Sequence, residues 1–299
     1  MAQVPAVSKA HRFQTLLAAR LGLNPGKPLI ASERAALALR AAKQKKSRRD
    51  MEEVRFLIPL VGPSQVGDWE TVTRRLATTL DGFLRQTDAR WTATICCQTR
   101  PPLPDDPRIQ YLPFDDPTPG NDKWRKLAQL CDDLGTRAGR PAYIMSFDAD
   151  DLLHRGAVEH MLKTASSHGY LVKDGYVMDH ARGTVAQATQ RSLKQPLQKP
   201  FWKLCGSCIA LPHDPELPQS TAFLRAMMQH EHRMFPYLAT LAGYRPLALK
   251  PASVLYVLNH GENFGARRGR VGFKTRFVER FKITDSRETS RIKQDFPDP

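Results

Sequence analysis

The sequence predicts an α/β fold, a mostly parallel central sheet flanked by helices, with a basic helical extension at its N-terminal end. Three observations carry this. Between residues 54 and 147, four short runs that are apolar almost throughout alternate with amphipathic helical patterns; strands covered on both faces read this way, and the alternation is that of a parallel sheet. The fourth run, Tyr143-Ile144-Met145-Ser146-Phe147, stops abruptly at Asp148-Ala149-Asp150-Asp151, three carboxylates within four residues. The charge is also uneven. Residues 1–50 carry 11 Lys and Arg against 2 Asp and Glu, residues 51–263 carry 24 against 23, and residues 264–299 carry 10 against 5.

Each element follows from the local pattern. Phe13, Leu16, Leu17 and Leu21 lie at helical spacing within residues 11–23, and Asn24-Pro25-Gly26 breaks that pattern. A second helix starts at Ser32, with Glu33 in its first turn, and runs into the basic stretch from Lys43 to Arg49. Basic amphipathic helices of this kind lie on anionic membrane surfaces or dock on acidic partners; packing on their own domain is the alternative.

Val54 to Val61 forms the first strand, followed by the Gly62-Pro63-Ser64 loop and a helix over 69–85. Strands over 92–98 and 109–114, a loop rich in Asp, Pro and Gly, a helix over 123–135 and a strand over 142–147 complete the series. Beyond the carboxylates, residues 157–166 read as a helix, 170–177 as a strand or hairpin, and 181–200 as a polar connection. An apolar stretch over 201–211 precedes a helix pair over 220–241 that Pro236 interrupts, then one strand over 247–258 leading to Asn259-His260-Gly261. Phe273, Phe277 and Phe281 mark a last amphipathic helix. The chain thus divides into the extension 1–50, a domain 51–265 and a basic C-terminal helix and tail 266–299.

Composition removes several classes. With 299 residues and 41% hydrophobic content the chain can bury a sizeable core. No stretch approaches 18 uncharged apolar residues, and Arg20 interrupts the 16–23 segment, which no small-residue cleavage site follows. Neither a spanning helix nor a secretory signal is expected, which makes the cytoplasm the default compartment, with a peripheral seat on the inner face of a membrane left open. The five cysteines are an odd number, with Cys96 and Cys97 adjacent, so a disulfide framework is not expected. Cys205-Gly206-Ser207-Cys208 has C-x-x-C spacing but lacks a second ligand pair and reads as packed thiols. The net charge of +15 resides at the ends, whereas a specific nucleic-acid grip would put charge on the core as well.

Side chains alternate along a strand, so Asp148 and Asp150 would share a face if the strand continued past Phe147. Two such oxygens suit a hard divalent cation, and ligands of open parallel sheets bind beyond the carboxyl ends of the strands. The competing reading is an acidic surface turn in which Asp151 caps the next helix.

Val54 to Val61, the helix after it, and Ser146-Phe147-Asp148-Ala149-Asp150-Asp151-Leu152-Leu153 with a following helix that holds Glu159 resemble the nucleotide-sugar-dependent glycosyltransferases of the GT-A fold, particularly the inverting family 2 type, over roughly residues 54–264. The resemblance implies Mn or Mg held directly by Asp150, with Asp148 on the metal or the ribose and His260 as a further metal ligand or a diphosphate contact. It implies a nucleotide-sugar donor, UDP-sugars being favoured, lying over backbone at Pro59 and Val61 and near Gln98 and Asp116. Lys123 would face the phosphates, and Trp202, Gly206 and Ser207 would floor the sugar pocket. Glu231 would be the base and His230 its substitute, although a single Glu flanked by histidines departs from the family's paired-acid pattern. The acceptor would be a glycan or lipid-linked molecule. Two other readings stand beside it: a nucleotidyl- or phosphoryl-transferring enzyme with an Asp-held Mg, weakened by the lack of a P-loop lysine motif, and a non-catalytic module binding anionic surfaces.

Overall fold

In the computed structural model, which describes residues 3–23, 28–47, 49–136, 139–259 and 271–298, the apolar runs form the expected strands. β1 (Glu53–Pro59), β2 (Trp91–Cys97), β3 (Ile109–Pro113) and β4 (Ala142–Ser146) are joined by helices α3 (Trp69–Leu84) and α4 (Lys123–Thr136). They pair in parallel, β4 and β2 flanking β1, and β3 lying outside β2. β9 (Ile209–His213) adds antiparallel to β4, and β6 (Tyr170–Leu171) and β10 (Leu247–Ala248) extend that side to the order β10-β6-β9-β4-β1-β2-β3. Among the described residues only β9 runs against the rest. This mostly parallel, helix-flanked sheet is the architecture that the GT-A resemblance implies.

Local chemistry explains the boundaries. The Asp68 carboxylate accepts the Thr71 amide at 2.9 Å and starts α3; the Asn121 side chain does the same for Lys123 at 3.1 Å and starts α4. The strand ahead of the carboxylates is fixed by packing: Phe56 and Phe83 stack at 4.3 Å, and Phe147 meets Phe83 edge-on at 5.3 Å. All three rings are fully buried.

A second, four-stranded sheet has the order β5 (Asp151–Leu153), β11 (Val254–Leu258), β7 (Gly175–Asp179), β8 (Thr184–Ala188). It corrects two expectations. The 181–200 connection contains β8, whose inward residues Ala186 and Ala188 are too small to announce a strand. The single strand expected over 247–258 is two strands in different sheets, β10 and β11; Pro251 between them has no N–H to give a ladder.

The two ends are docked on this core. α1 (Lys9–Leu21) and α2 (Ala31–Lys43) pack on α6 (Pro218–Met227) and α7 (Phe235–Leu241), α2 against both and α1 against α7. The fully buried Glu33 gathers three of these helices: it accepts from Tyr237 Oη at 2.6 Å and pairs with His11 Nε2 at 3.0 Å. At the other end, α8 (Val271–Arg280) lies on β7 and β8 and buries Phe277 and Val278. α9 (Ser286–Asp295) buries Ile292, and Phe296 just beyond it packs with Leu152, Tyr176 and Leu255. No described helix is long and apolar enough to cross a membrane.

At the far end of β9, His213 is fully buried with Nε2 2.9 Å from Thr221 Oγ1. Burial pushes its pKa from 6.5 down to about 4, with the Arg55 charge adding to the effect. Between these values the unfolded chain holds a proton that the folded protein does not. The contribution is therefore complete above pH 6.5 and is lost as the pH falls towards 4. In urea unfolding, His213 should account for about 1.4 kcal/mol of lost stability per pH unit within that window, and His213→Asn should flatten the pH dependence there.

Candidate active site

The chain leaves the first sheet after β4 at Ser146 and enters the second at Asp151, the first residue of β5. Asp148 and Asp150 stand in the turn between the two sheets. The β4 strand does not continue through them, so their proximity comes from the turn and not from strand alternation. Asp151 does not cap the next helix either: it is fully buried, and α5 (Ala157–Thr164) begins after Gly156. The turn is pinned from below by Thr79 of α3, whose buried hydroxyl lies 2.9 Å from both the Ala149 and the Asp151 carbonyl oxygens.

Asp151 organises what lies beneath. Its Oδ2 accepts from Ser207 Oγ at 2.5 Å and from Cys205 Sγ at 3.0 Å. Its Oδ1 is buried with no hydrogen-bond partner among the described residues. Burial, then the charges of Asp150 and Asp148, push its pKa well up. Ser207 Oγ also accepts the Asp148 amide at 2.9 Å, so one hydroxyl bridges the buried acid and the backbone of the exposed one. Ser207, expected on the floor of the sugar pocket, thus lies beneath the turn and bonds to it. Cys205 and Cys208 are buried free thiols, both pushed up in pKa by burial and unsuited to thiolate chemistry.

Cations face the turn. Lys123 Nζ donates to Asp148 Oδ1 at 2.6 Å; burial opposes its charge, but Asp148, Asp150 and Asp151 together raise its pKa. Lys274 comes from α8. Its Nζ lies 2.5 Å from Tyr256 Oη, on the strand residue paired with Asp151, and 4.3 Å from the Tyr256 ring centroid. Burial lowers its pKa, against the fields of Cys205 and the three aspartates. Arg75 of α3 meets the field of Asp150 and lies 2.9 Å from His180 Nε2. Gly206 closes the floor: a Cβ there would sit 3.3 Å from Asp148 Oδ2 and 3.9 Å from Lys123 Nζ.

The remaining expected residues divide. Gln98 donates to Asp122 Oδ2 at 2.6 Å, and its Oε1 lies where a Gly62 Cβ would be, at 2.5 Å, so it braces the loop after β1. Asp122 also accepts from Gln65 at 3.0 Å and pairs with the fully buried Lys126 at 2.8 Å. Pro59 closes β1, and the Val61 carbonyl accepts from Cys97 Sγ at 3.6 Å. Asp116 pairs with Arg125 at 2.8 Å, and hydrogen bonds from the Thr118 side chain and then its amide lower its pKa. Trp202 is partly buried against the core.

His230 is a correction. It is buried, with Nε2 2.8 Å from Ser32 Oγ in the seam with the N-terminal extension, and so is shielded from any substrate on the surface. Glu231 is half-buried and starts the short turn over 232–234. His260 lies outside the described residues.

Four residues facing the site were not singled out from the sequence: Arg75, Lys274, Tyr256 and His232. His232 hydrogen-bonds the Lys203 backbone, and its Nε2 is buried without a partner among the described residues. Burial takes its pKa down to about 3, with Lys123, Lys274 and Arg233 adding to the effect. Nothing in local spacing marks Lys274 or Tyr256, since the second sheet brings them in.

No protein-family model matches the chain, and no curated protein sequence matches it. Among solved structures, 4-diphosphocytidyl-2C-methyl-D-erythritol synthase is 15% identical, covers 75% of this chain and 99% of its own, and has a TM-score of 0.36. TarS of S. aureus is 9% identical with a TM-score of 0.37; the match spans 69% of this chain and 37% of that longer one. The mannosyltransferase PcManGT of Pyrobaculum calidifontis, solved with GDP-Man and Mn2+, is 14% identical with a TM-score of 0.32, over 83% of this chain and 68% of its own. Likenesses this weak carry no function across.

Because Thr79 holds the turn from a buried position, Thr79→Val should cost about 1–3 kcal/mol, read as a lowered midpoint in urea. Ser207→Ala should cost a similar amount, since it leaves a buried carboxyl without its main donor.

Proposed function

We propose that this chain is a metal-dependent, inverting glycosyltransferase that moves a sugar from a nucleoside-diphosphate donor to a glycan or lipid-linked acceptor. The observation that carries the reading is the pair Asp148 and Asp150, partly exposed on a rigid turn beyond the carboxyl end of β4 and faced by Lys123, Lys274 and Arg75. A site with acids for a cation and bases for phosphates suits a diphosphate leaving group.

The residues present fit Mn or Mg. Two carboxylates completed by substrate phosphates are a common donor set for such ions, and the absence of a side chain at Gly206 leaves Asp148 Oδ2 accessible. Asp148 and Asp150 would hold the ion, with His260 as the third ligand called for by the resemblance; bound there, it would take up charge as the diphosphate departs. Lys123 and Lys274 would bind the phosphate oxygens, Lys123 loosening from Asp148 as it does so. The nucleoside would lie over Pro59 and Val61, with Gln98 and Asp116 at its edge and Gly206 beneath the sugar. Glu231 would accept the proton of the acceptor hydroxyl as that oxygen bonds to the anomeric carbon and the bond to the diphosphate breaks. The basic extension 1–50 would seat the enzyme on an anionic surface facing the cytoplasm.

The cations would serve nucleotidyl or phosphoryl transfer equally well, so product analysis decides between the classes. With a nucleotide-sugar panel, mass detection should find nucleoside diphosphate and free or transferred sugar; pyrophosphate release from a nucleoside triphosphate instead would favour the alternative. Calorimetry with UDP, GDP and dTDP should show binding that Mn strengthens, and no metal-dependent binding to any of them would overturn the reading. Asp150→Ala should abolish the Mn effect. Lys274→Ala should weaken nucleotide binding about tenfold, or about 1.4 kcal/mol. Glu231→Gln should spare nucleotide affinity while lowering transfer at least about a hundredfold.

A further inference from the structure

The outer face of α1 has no partner among the described residues. Phe13, Leu17 and Leu21 are 68%, 46% and 61% exposed, and Leu23 just beyond the helix is 60% exposed. At 100° per residue, positions 9, 13, 17 and 21 form one row along the helix, so Lys9 heads this apolar line. Arg20 is exposed beside its other end.

The helix cannot turn this row inward. Its opposite face is occupied by buried Thr15, by Ala19 packed on the core and by the His11 contact to Glu33, and Leu16 packs on the core at the edge of the row. Ser8 caps its start and Gly22, at φ 71°, ends it, so its length is defined as well.

We propose that this row is a membrane-contact face, which lays α1 in the interface of an anionic bilayer with Phe13, Leu17 and Leu21 among the acyl chains and Lys9 and Arg20 at the headgroups. The inference deepens the surface role given to the extension above and does not depend on the transfer chemistry. Charge selects the occupant. No carboxylate occurs in residues 1–32, and the first, Glu33, is buried. Residues 1–50 carry 11 Lys and Arg against 2 acids. A second copy seated on the row would bring this same basic face against itself, at a cost in repulsion. A protein partner would need directional polar contacts around the apolar core, and the exposed face of α1 offers Gln14 and little else beyond its cations. A bilayer requires only apolar insertion and nearby positive charge.

Co-sedimentation of the full chain with vesicles tests this. It should bind vesicles of phosphatidylcholine with phosphatidylglycerol, bind those of phosphatidylcholine alone at least about tenfold more weakly, and release as salt rises. The combined variant Phe13→Ser, Leu17→Ser, Leu21→Ser should lose at least about tenfold in vesicle affinity while keeping its circular dichroism and its nucleotide binding. In a second variant, Phe13→Trp, emission should shift to the blue on adding anionic vesicles and be quenched by brominated acyl chains. Equal binding by the triple variant, or Trp emission that anionic vesicles leave unchanged, overturns the proposal. So does a chain that is dimeric in dilute solution and becomes monomeric in the triple variant, since the row is then a contact between copies. Loss of nucleotide binding with vesicle binding intact would instead count against the transferase reading alone.

Discussion

The buried carboxyl of Asp151 is the constraint around which the site is built. It belongs to the first residue of the second sheet, yet its hydrogen bonds come from Cys205 and Ser207, in the segment leading into β9 of the first sheet. A carboxyl with no access to water is costly unless protonated or well bonded, and here burial and its two acidic neighbours both favour the neutral form. The arrangement ties the two sheets at the point where Asp148 and Asp150 emerge. Thr79 performs the same service from the helix side, so the turn is held from three elements before any ligand arrives.

That preorganisation matters because the exposed half of the site is electrostatically balanced rather than satisfied. Asp148 is paired with Lys123 at 2.6 Å, but both side chains are partly exposed, beside Gly206. Lys274 is held by a phenol hydroxyl, and no carboxylate pairs with it among the described contacts. Burial works against its charge, and the fields of Asp148 and Asp150 support it. A group of opposed charges in fixed positions can exchange internal partners for a charged ligand with little rearrangement, which favours electrostatic recognition.

The parallel half of the fold was legible because its strands are apolar almost throughout and alternate with amphipathic helical patterns. The acidic turn was legible for the same reason, as an abrupt end to a buried run. Residues beyond 170 were less so. β8 hides in small residues, the split between β10 and β11 rests on a proline and on pairing partners remote in sequence, and Tyr256 becomes informative only once β11 lies beside β5. Lys274 is one cation among ten in residues 264–299, and only the docking of α8 singles it out. His230 and Glu231 are adjacent in sequence but differ in fate, because the N-terminal extension covers the first and leaves the second half-exposed. Contacts of this length, 198 residues between Ser32 and His230, leave no local trace.

Glu33 bears on geometry as well as on packing. By binding His11 of α1 and Tyr237 of α7 from its place on α2, it makes the first helix a fixed part of the body. A flexible tether lets a domain tumble above whatever it is attached to, and the reach of its site is then a statistical quantity set by linker length. A clamped helix behaves as a mounting bracket. Any contact made through α1 sets the tilt and height of the whole molecule, and the acidic turn at Asp148 would face one direction at one distance from that contact.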